Sequence, residues 1–336
     1  MTGLRMNRRR LLAAGSAAAG AAIGVPLDVA VHTRGARAQS FPSGPVTFIV
    51  PFPPGASTDV TFRLVAGKLS QMWGQPVVID NKGGANGIIA AEAAMRAKPD
   101  GHTLFTTSSM THAGNPVLYD KLPYDPIKDF EPVTRMSMVP LVMLVHKGLK
   151  LKSLAELTAL LKAEPGKHNF GSGAISARVA AELYRMLAGV DAVNVNYRNH
   201  QLGAPDLNSG AISFMVPDLS SSKMILSSGW ADPLAITQAE PSPMLPGVPG
   251  AVAAGLPGFI FTTWSAVYAP RGTSKEIVAR LNRDFIAAAT SPEINEKLMG
   301  MGGPMNPTTP DELRAFTLSE IEAWRKVVKA ANIRIE

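Results

Sequence analysis

Short apolar segments alternate with amphipathic segments along most of the chain. Residues 46–51 are apolar and β-branched over the length of a strand, and apolar residues recur at helical spacing through residues 59–73. The same order of strand and helix restarts after about residue 144. Further strands are predicted at residues 77–79, 103–107, 192–197, 212–216, 234–236 and 263–269, and further helices at residues 88–97, 154–162, 177–188, 275–290, 292–301 and 311–332. The alternation predicts an α/β protein with two lobes, each a mainly parallel sheet flanked by helices.

The chain is expected to pass between the two lobes more than once. The apolar stretch 133–146 contains Pro140, which predicts two strand segments or a crossover. The last predicted helix has an apolar stripe that we expect to dock on a lobe rather than on a membrane; its members are Leu313, Phe316, Ile321, Trp324, Val327 and Val328. We predict a first lobe of residues 39–143 plus 263–336, a second lobe of residues 144–262, and a cleft between them.

Residues 1–38 have the order of segments found in an export signal. Arg8, Arg9 and Arg10 begin it, an uncharged apolar stretch follows at residues 11–25, and Ala36-Arg37-Ala38 has the small residues of a cleavage site. The arginine pair followed by leucines is twin-arginine-like, and the alternative is an ordinary secretory leader. We predict an exported protein whose signal peptide is cleaved near Ala38.

Composition narrows the possible chemistry. The 336 residues include no cysteine, which excludes disulfides, thiolate metal sites and a cysteine nucleophile. The formal net charge is +7, but residues 1–38 hold six arginines and one acidic residue, so the rest of the chain carries only about +2. The body has no basic run and few aromatic residues, so we expect no binding to nucleic acid.

The sequence offers little for catalysis or cofactor binding. It has neither the Gly-x-Ser-x-Gly motif of serine hydrolases nor a phosphate-binding glycine-lysine loop, and its six histidines do not have the spacing of zinc ligands. The segment Gly171-Ser172-Gly173 begins like a dinucleotide loop, but Ser176 stands where the third glycine would be. We therefore predict no catalytic residue, no metal site and no cofactor.

Two glycine-containing loops, one in each predicted lobe, are the candidate binding elements. Residues 51–59 lie between a strand and a helix, where Gly55 permits close approach of the backbone and the helix N-terminus attracts an anion. Residues 171–176 occupy the corresponding place in the second lobe. The alternative for the first loop is a simple turn in which its own polar side chains cap the helix. Facing each other, the two loops would hold a small anion without lysine or arginine.

A series of ordered motifs resembles the Bug/TctC family, the extracytoplasmic solute-binding proteins of tripartite tricarboxylate transporters. The first three motifs are VPFPPGASTD at residues 50–59, DNKGGANG at residues 80–87 and PDGHTL at residues 99–104. The pattern continues with SMTHAGNP at residues 109–116, LPYDPIKDF at residues 122–130, LPGF at residues 256–259 and APRGT at residues 269–273. The resemblance covers roughly residues 41–333.

The resemblance implies a periplasmic protein with a two-lobe Venus flytrap fold that captures a small carboxylate and does not transform it. Its implied partners are the membrane permease subunits of a tripartite transporter, bound transiently, and the protein itself is expected to be a monomer. The implied ligand-binding residues are Gly55, Ala56, Ser57, Thr58, Asp59, Ser108 and Ser109 in the first lobe, and Ser172, Gly173, Ser176 and Asp218 in the second. For Asp218, capping of a loop is an equal alternative.

Several alternatives remain open from the sequence. Arg178 stands near a position that is often histidine in the family, and is either an extra anion contact or a solvated helix residue. A secreted two-lobe isomerase or lyase acting on an organic acid would need a general base, for which Asp59 and His112 are the candidate pair. A third possibility is a receptor that presents its ligand to a sensor kinase rather than to a transporter.

Overall fold

The computed structural model describes residues 41–299 and 305–333, so the predicted export signal lies outside the described residues. The strands are β1 (Val46–Val50), β2 (Val77–Asn81), β3 (Thr103–Ser108), β4 (Phe130–Pro140), β5 (Val142–His146), β6 (Asn169–Ser172), β7 (Val193–Asn196), β8 (Phe214–Met215), β9 (Ala231–Ile236) and β10 (Thr262–Pro270). The helices are α1 (Ser57–Trp73), α2 (Ile88–Met95), α3 (Asn115–Leu118), α4 (Leu154–Ala163), α5 (Ile175–Ala188), α6 (His200–Ser209), α7 (Leu219–Ser227), α8 (Lys275–Ala289), α9 (Pro292–Met299) and α10 (Pro310–Ala330). A 3₁₀ turn at Ala85–Gly87 precedes α2, and a π-helical turn at Met110–Gly114 precedes α3.

The strands form two five-stranded sheets with the same internal plan. The first sheet has the order β2-β1-β3-β10-β4 and the second the order β7-β6-β8-β5-β9. In each sheet three neighbouring strands are parallel and the remaining two pair antiparallel. The predicted two-lobe α/β architecture is therefore confirmed, with the first lobe built on the first sheet and the second lobe on the second.

The sheets are mixed, whereas the sequence predicted mainly parallel ones. The parallel strands come from local strand-helix-strand units, which are visible in the sequence pattern. The antiparallel strands β4, β10, β5 and β9 flank the two passages between the lobes, where no helix intervenes. A chain that crosses directly from one sheet into the other and later returns must run in the opposite direction, so these strands pair antiparallel.

The two passages between the lobes lie side by side and share one buried hydroxyl group. The outward passage is Leu141 alone, between β4 and β5, and the return passage ends at Phe261 before β10. Thr237 is fully buried; its Oγ1 accepts from the backbone N–H of Leu141 at 2.8 Å and donates to the carbonyl of Phe261 at 2.5 Å. The proline-containing apolar stretch thus forms both a pair of strands and a crossover.

Helix α10 packs its apolar stripe against both lobes. Leu313, Ile321, Trp324, Val327 and Val328 are buried, and the helix contacts β4, the turn at Met110–Gly114 and α5 of the second lobe. The Trp324 ring lies 5.4 Å from that of Phe261 on the return passage. The stripe thus faces protein, as predicted. None of the helices within the described residues is long and apolar enough to cross a membrane.

Three short helices were not predicted from the sequence. Helix α6 contains Pro205, and α7 includes four serines, so neither has the composition of a strong helix former. Helix α3 has only four residues. Side-chain caps at Asn199 and Asp218 satisfy first-turn amides of α6 and α7 and help to set their starting points.

Candidate functional site

A cavity of about 680 Å³ lies between the two sheets and is lined from both lobes. The first lobe contributes the β1–α1 loop, the glycine-rich turn before α2 and the residues after β3, while the second contributes the starts of α5, α6 and α7. Strands β4 and β10 supply residues between these two walls. The lining residues are Pro51, Phe52, Pro53, Thr58, Thr61, Gly84, Ala85, Asn86, Gly87, Ser108, Ser109, Met110, Thr111, Ser137, Val139, Ala174, Ile175, Ser176, His200, Asp218, Ser220, Thr263, Trp264, Ser265, Leu298 and Met305.

The first wall contains the N-terminus of α1, which is not capped by a side chain. The residue before the helix is Ala56, which has no side chain able to accept from the first-turn amides. Gly55 precedes it with φ +85°, a left-handed conformation that favours glycine. Thr58 and Thr61 from this helix line the cavity. The helix thus presents unclaimed amide groups and the positive end of its dipole, as an anion site requires.

Asp59 holds this loop in place and does not line the cavity. Its carboxylate is 1% exposed and accepts hydrogen bonds from the Gly55 N–H at 2.9 Å, Arg63 Nε at 2.9 Å and Asn81 Nδ2 at 2.8 Å. Burial alone would raise the pKa of Asp59, but the hydrogen bonds from Arg63, Asn81 and Gly55 outweigh it and lower the pKa below its usual value. The carboxylate is therefore ionised and fully engaged by protein groups.

The second wall brings together three helix N-termini that differ in how they are capped. Asn199 caps α6 by accepting from the Leu202 N–H at 3.0 Å, and Asp218 caps α7 by accepting from the Ser221 N–H at 3.0 Å. Helix α5 follows Ala174 and has no side-chain cap. Of these three termini, that of α5 is the one whose first-turn amides are not claimed by a side chain. It stands across the cavity from α1.

Ser172 and Gly173 support this wall from behind. Ser172 is fully buried and donates from Oγ to Asn194 Oδ1 at 2.7 Å. A Cβ atom on Gly173 would lie 2.2 Å from the backbone nitrogen of His200, so glycine is required for the close approach of the β6–α5 loop to α6. Neither residue is among those that line the cavity.

Hydroxyl groups line the region between the two walls. Ser108 ends β3 and Ser109 follows it, and Ser108 Oγ is buried without a hydrogen-bond partner among the described residues. Ser137 on β4 and Ser265 on β10 place their Oγ atoms 2.7 Å apart. Trp264 lines the cavity beside them and donates from Nε1 to Glu320 at 2.9 Å. The cavity is therefore rich in neutral hydrogen-bonding groups.

His200 and Asp218 form the titratable pair of the second wall. His200 is 8% exposed, and its Nε2 lies 3.8 Å from Asp218 Oδ2. Burial lowers the pKa of His200, and the charge of Asp218 opposes that shift without cancelling it. The sequence predicted Asp218 as a site residue, and Asp218 both lines the cavity and caps α7. His200 was not predicted from the sequence, because a single histidine at the start of a helix belongs to no recognisable motif.

The structure separates Asp59 from His112, the pair considered for general-base catalysis. His112 is fully buried, hydrogen-bonded to Thr107 at 3.0 Å and packed 4.1 Å from the Tyr268 ring, and burial lowers its pKa to about 3. Neither Asp59 nor His112 lines the cavity. Within the described residues, there is also no group of three histidine or acidic side chains able to hold a metal ion.

The sequence-predicted residues divide into two groups around the cavity. Thr58, Ser108, Ser109, Ser176 and Asp218 line it. Gly55, Ala56, Asp59, Ser172 and Gly173 are not lining residues, and Ser57 begins α1. Arg178 is partly buried with its Nε shielded from solvent, and it is not a lining residue. The residues missed include Asn86, Ser137, Trp264, Ser265 and Met305, which reach the site through tertiary packing.

Comparisons with known proteins agree with this architecture. Residues 61–333 match the family model described as the tripartite tricarboxylate transporter family receptor. Protein BugT of Bordetella pertussis is 34% identical over 334 residues, covering 98% of this chain and 100% of that protein. An R. palustris protein solved with adipate is 35% identical with a TM-score of 0.75, covering 88% of this chain and 99% of the other. MatC from Rhodopseudomonas palustris, solved with bound malate, is 31% identical with a TM-score of 0.70, covering 86% of this chain and 100% of the other.

Proposed function

This chain belongs to the tripartite tricarboxylate transporter receptor family, and we propose that it captures one small carboxylate in the cleft between its two lobes. The family consists of transporter binding proteins rather than enzymes, so the chemistry is capture and release. The observation that carries the proposal is the presence of two uncapped helix N-termini, those of α1 and α5, on opposite walls of one cavity. Each supplies backbone donors and partial positive charge to an anion.

The proposed contacts come from both walls. Thr58, Ser108 and Ser109 approach the ligand from the first lobe, and Ser176 and Asp218 approach it from the second. Gly55, Ala56, Ser57, Asp59, Ser172 and Gly173 shape the two loops. The relatives solved with adipate and with malate support a carboxylate as the class of ligand.

Ligand contact with both walls favours a closed arrangement of the lobes. In this proposal the first lobe is formed by residues 39–143 plus 263–336 and the second by residues 144–262. The division of the strands into two sheets supports two lobes, although β5 of the second sheet begins at Val142 and β10 of the first at Thr262. A ligand that touches both lobes stabilises the closed form by the difference between its affinities for the closed and open forms. The closed complex of a monomer then docks transiently on the membrane permease subunits.

The proposed location is the periplasm, which is where binding proteins of this family act. Residues 1–38 serve as the export signal in this proposal, with cleavage near Ala38. Mass spectrometry of the protein recovered from the periplasmic fraction tests this step. A mature N-terminus close to Gln39 supports it, and full-length protein retained in the cytoplasm contradicts it.

Calorimetric titration of the purified protein with a panel of small mono-, di- and tricarboxylates tests capture directly. The expected result is saturable binding of at least one acid with a stoichiometry of one per chain, and recovery of the acid unchanged after incubation. The matched probe for each acid is its neutral amide, which we expect to bind at least roughly tenfold more weakly because it lacks the charge that the helix dipoles attract. Failure of every acid to bind, or chemical turnover of the bound acid, contradicts the proposal.

A further inference from the structure

The second wall of the cavity carries a buried histidine with a ring nitrogen that has no partner. His200 is 8% exposed and lines the cavity, and its Nδ1 is buried without a hydrogen-bond partner among the described residues. Nearly all buried polar atoms in folded proteins are hydrogen-bonded, and an unsatisfied one destabilises the structure. His200 lines the cavity, but its Nδ1 has almost no surface open to it in this structure. The unpaired nitrogen is therefore a group that a ligand satisfies once closure of the lobes around it shifts the ring.

Asp218 determines which ring nitrogen of His200 carries the proton. Its carboxylate accepts from the Ser221 N–H at 3.0 Å and from Ser221 Oγ at 2.8 Å, so both of its oxygens act as hydrogen-bond acceptors. His200 Nε2 faces it at 3.8 Å. The proton of the neutral ring is stabilised on Nε2, beside the carboxylate, which leaves Nδ1 as an acceptor. The second wall therefore holds two acceptors next to the first turn of α5: the Asp218 carboxylate at the cavity lining, and Nδ1 of His200, which the ring shields from the cavity in this structure.

The charge of the cavity limits the charge of its ligand. The described lining residues include no lysine or arginine, and Asp218 is the one carboxylate among them. Residues 300–304, between the lining residues Leu298 and Met305, contain no charged side chain in the sequence. The N-termini of α1 and α5 together offer roughly one positive charge. One carboxylate is matched by these dipoles, whereas a second one at the α5 wall would face Asp218.

We infer that the ligand has at most one net negative charge and places a hydrogen-bond donor, a hydroxyl or ammonium group, against Nδ1 of His200. This inference rests on the proposed capture of a carboxylate and makes it more specific. It predicts for this chain a ligand of lower charge than adipate and malate, the dicarboxylates with which two relatives were solved. His200 is thus the specificity-determining residue, and Asp218 excludes a second anion.

A set of four-carbon probes separates the effect of the donor from that of charge. The probes are butanoate, 2-hydroxybutanoate, 2-aminobutanoate, butanedioate and 2-hydroxybutanedioate, each titrated calorimetrically into the full mature chain at pH 7.5. The wild-type protein should bind 2-hydroxybutanoate or 2-aminobutanoate at least roughly tenfold more tightly than butanoate, because only the substituted acids satisfy Nδ1. It should bind butanedioate no more tightly than butanoate.

Variants assign these preferences to the two residues. His200→Phe keeps a ring without an acceptor and should abolish the preference for a donor, whereas His200→Asn places an amide oxygen near the position of Nδ1 and should restore part of it. Asp218→Asn can still cap α7 and should strengthen butanedioate binding by roughly tenfold. Asp191→Asn makes the same change of charge outside the cavity lining and should not strengthen it.

The outcomes distinguish this inference from the proposed function. Tightest binding of a dicarboxylate by the wild type, or a donor preference that survives in His200→Phe, overturns the inference while leaving carboxylate capture intact. Failure of every probe in this set, and of every acid in the wider panel, to bind the folded wild type overturns both. Donor preference lost in His200→Phe together with butanedioate binding gained in Asp218→Asn supports the inference.

Discussion

The backbone N–H of Gly55 donates to the carboxylate of Asp59 at 2.9 Å, which closes the loop before α1 upon the first turn of the helix. The same carboxylate accepts from Asn81 at the end of β2, so it ties the loop to the neighbouring strand. Gly55 precedes the helix, and the residue at its N-cap, Ala56, has no side chain that caps the first-turn amides of α1. The acidic residue of this loop thus organises the site without lining the cavity.

Asp59→Asn should destabilise the protein and weaken ligand binding together. The amide keeps the shape but offers a donor where three donors already converge, so we expect a loss of about 2–3 kcal/mol in the free energy of unfolding. Displacement of the loop should weaken carboxylate binding by roughly tenfold. Urea denaturation and calorimetric titration of the purified variant measure the two effects.

Arg63→Gln is the matched control for the contribution of Arg63, which pairs with Asp59 and donates from Nη2 to Asn81 Oδ1 at 2.8 Å. The Arg63 side chain is 47% exposed, and such pairs contribute about 0.2–1 kcal/mol. We expect this variant to lose less than about 1 kcal/mol. An equal loss in both variants would show that the contacts of Arg63, rather than the hydrogen bonds that Asp59 accepts from Gly55 and Asn81, account for the effect of Asp59.

Gly173→Ala should disturb the second wall of the cavity. The added Cβ would lie 2.2 Å from the backbone nitrogen of His200 and 2.3 Å from the backbone carbon of Asn199, so the start of α6 must move. We expect a loss of about 1–3 kcal/mol in the free energy of unfolding, as is typical of overpacking, and weaker ligand binding because His200 is displaced. Thermal and urea unfolding, with titration, provide the measurements.

Gly67→Ala is the control for the same chemical change without a close contact. Gly67 lies inside α1, and a Cβ there would have no atom within 4 Å. Replacing a helical glycine by alanine stabilises a helix by about 0.5–1 kcal/mol. If Gly173→Ala were as stable as Gly67→Ala, the close approach of the β6–α5 loop to α6 would not be a constraint on the fold.

The loops on the two walls could be predicted from the sequence because each belongs to a local strand-helix unit. The β1–α1 loop and the β6–α5 loop each join elements only a few residues apart, so the apolar pattern and the glycines locate them. The residues between the walls could not be found this way. Ser137 and Ser265 are 128 positions apart in the chain and meet through the antiparallel pairing of β4 with β10. A pattern along one segment contains no information about that pairing.

The role of Asp59 and the position of His200 in the cavity lining are set by residues that are distant in the sequence. An acidic residue in the first turn of a helix can contact a ligand or can hold the neighbouring loop in place. Asp59 has the second role because protein groups such as Asn81, 22 positions away, donate to its carboxylate. His200 acquires its environment from Asp218 and from the approach of Gly173. Sequence therefore indicated the family, the two lobes and part of the lining, while tertiary contacts decided which polar side chains face the cavity.

Thr237→Val should weaken the junction between the lobes. Valine matches the shape of threonine but cannot accept from the Leu141 N–H or donate to the Phe261 carbonyl, so two buried backbone groups lose a partner. We expect a loss of about 1–3 kcal/mol in the free energy of unfolding by urea denaturation. Thr237→Ser keeps the hydroxyl and should lose clearly less, so an equal loss in both variants would assign the effect to packing of the methyl group.

His112 should make the protein sensitive to acid. In the unfolded chain a histidine takes up a proton as the pH falls below about 6.5, whereas burial lowers the pKa of His112 in the folded protein to about 3. Between these values the unfolded state binds one more proton at this position, so stability decreases as the pH falls. The stabilisation is complete above pH 6.5 and is lost at about 1.4 kcal/mol per pH unit towards pH 3.

His112→Gln isolates this contribution, because it removes the titrating ring while leaving the carboxylates of the protein in place. Glutamine can still accept from Thr107, so the variant should fold, with a lower free energy of unfolding at pH 7.5. The difference between wild type and variant should be constant above pH 7 and should shrink by about 1.4 kcal/mol per unit between pH 6 and pH 4. Urea denaturation at half-unit intervals of pH measures it. A difference that stays constant across that range would mean that His112 takes up its proton at about the same pH in the folded and unfolded states. Water would then reach the ring in the folded protein.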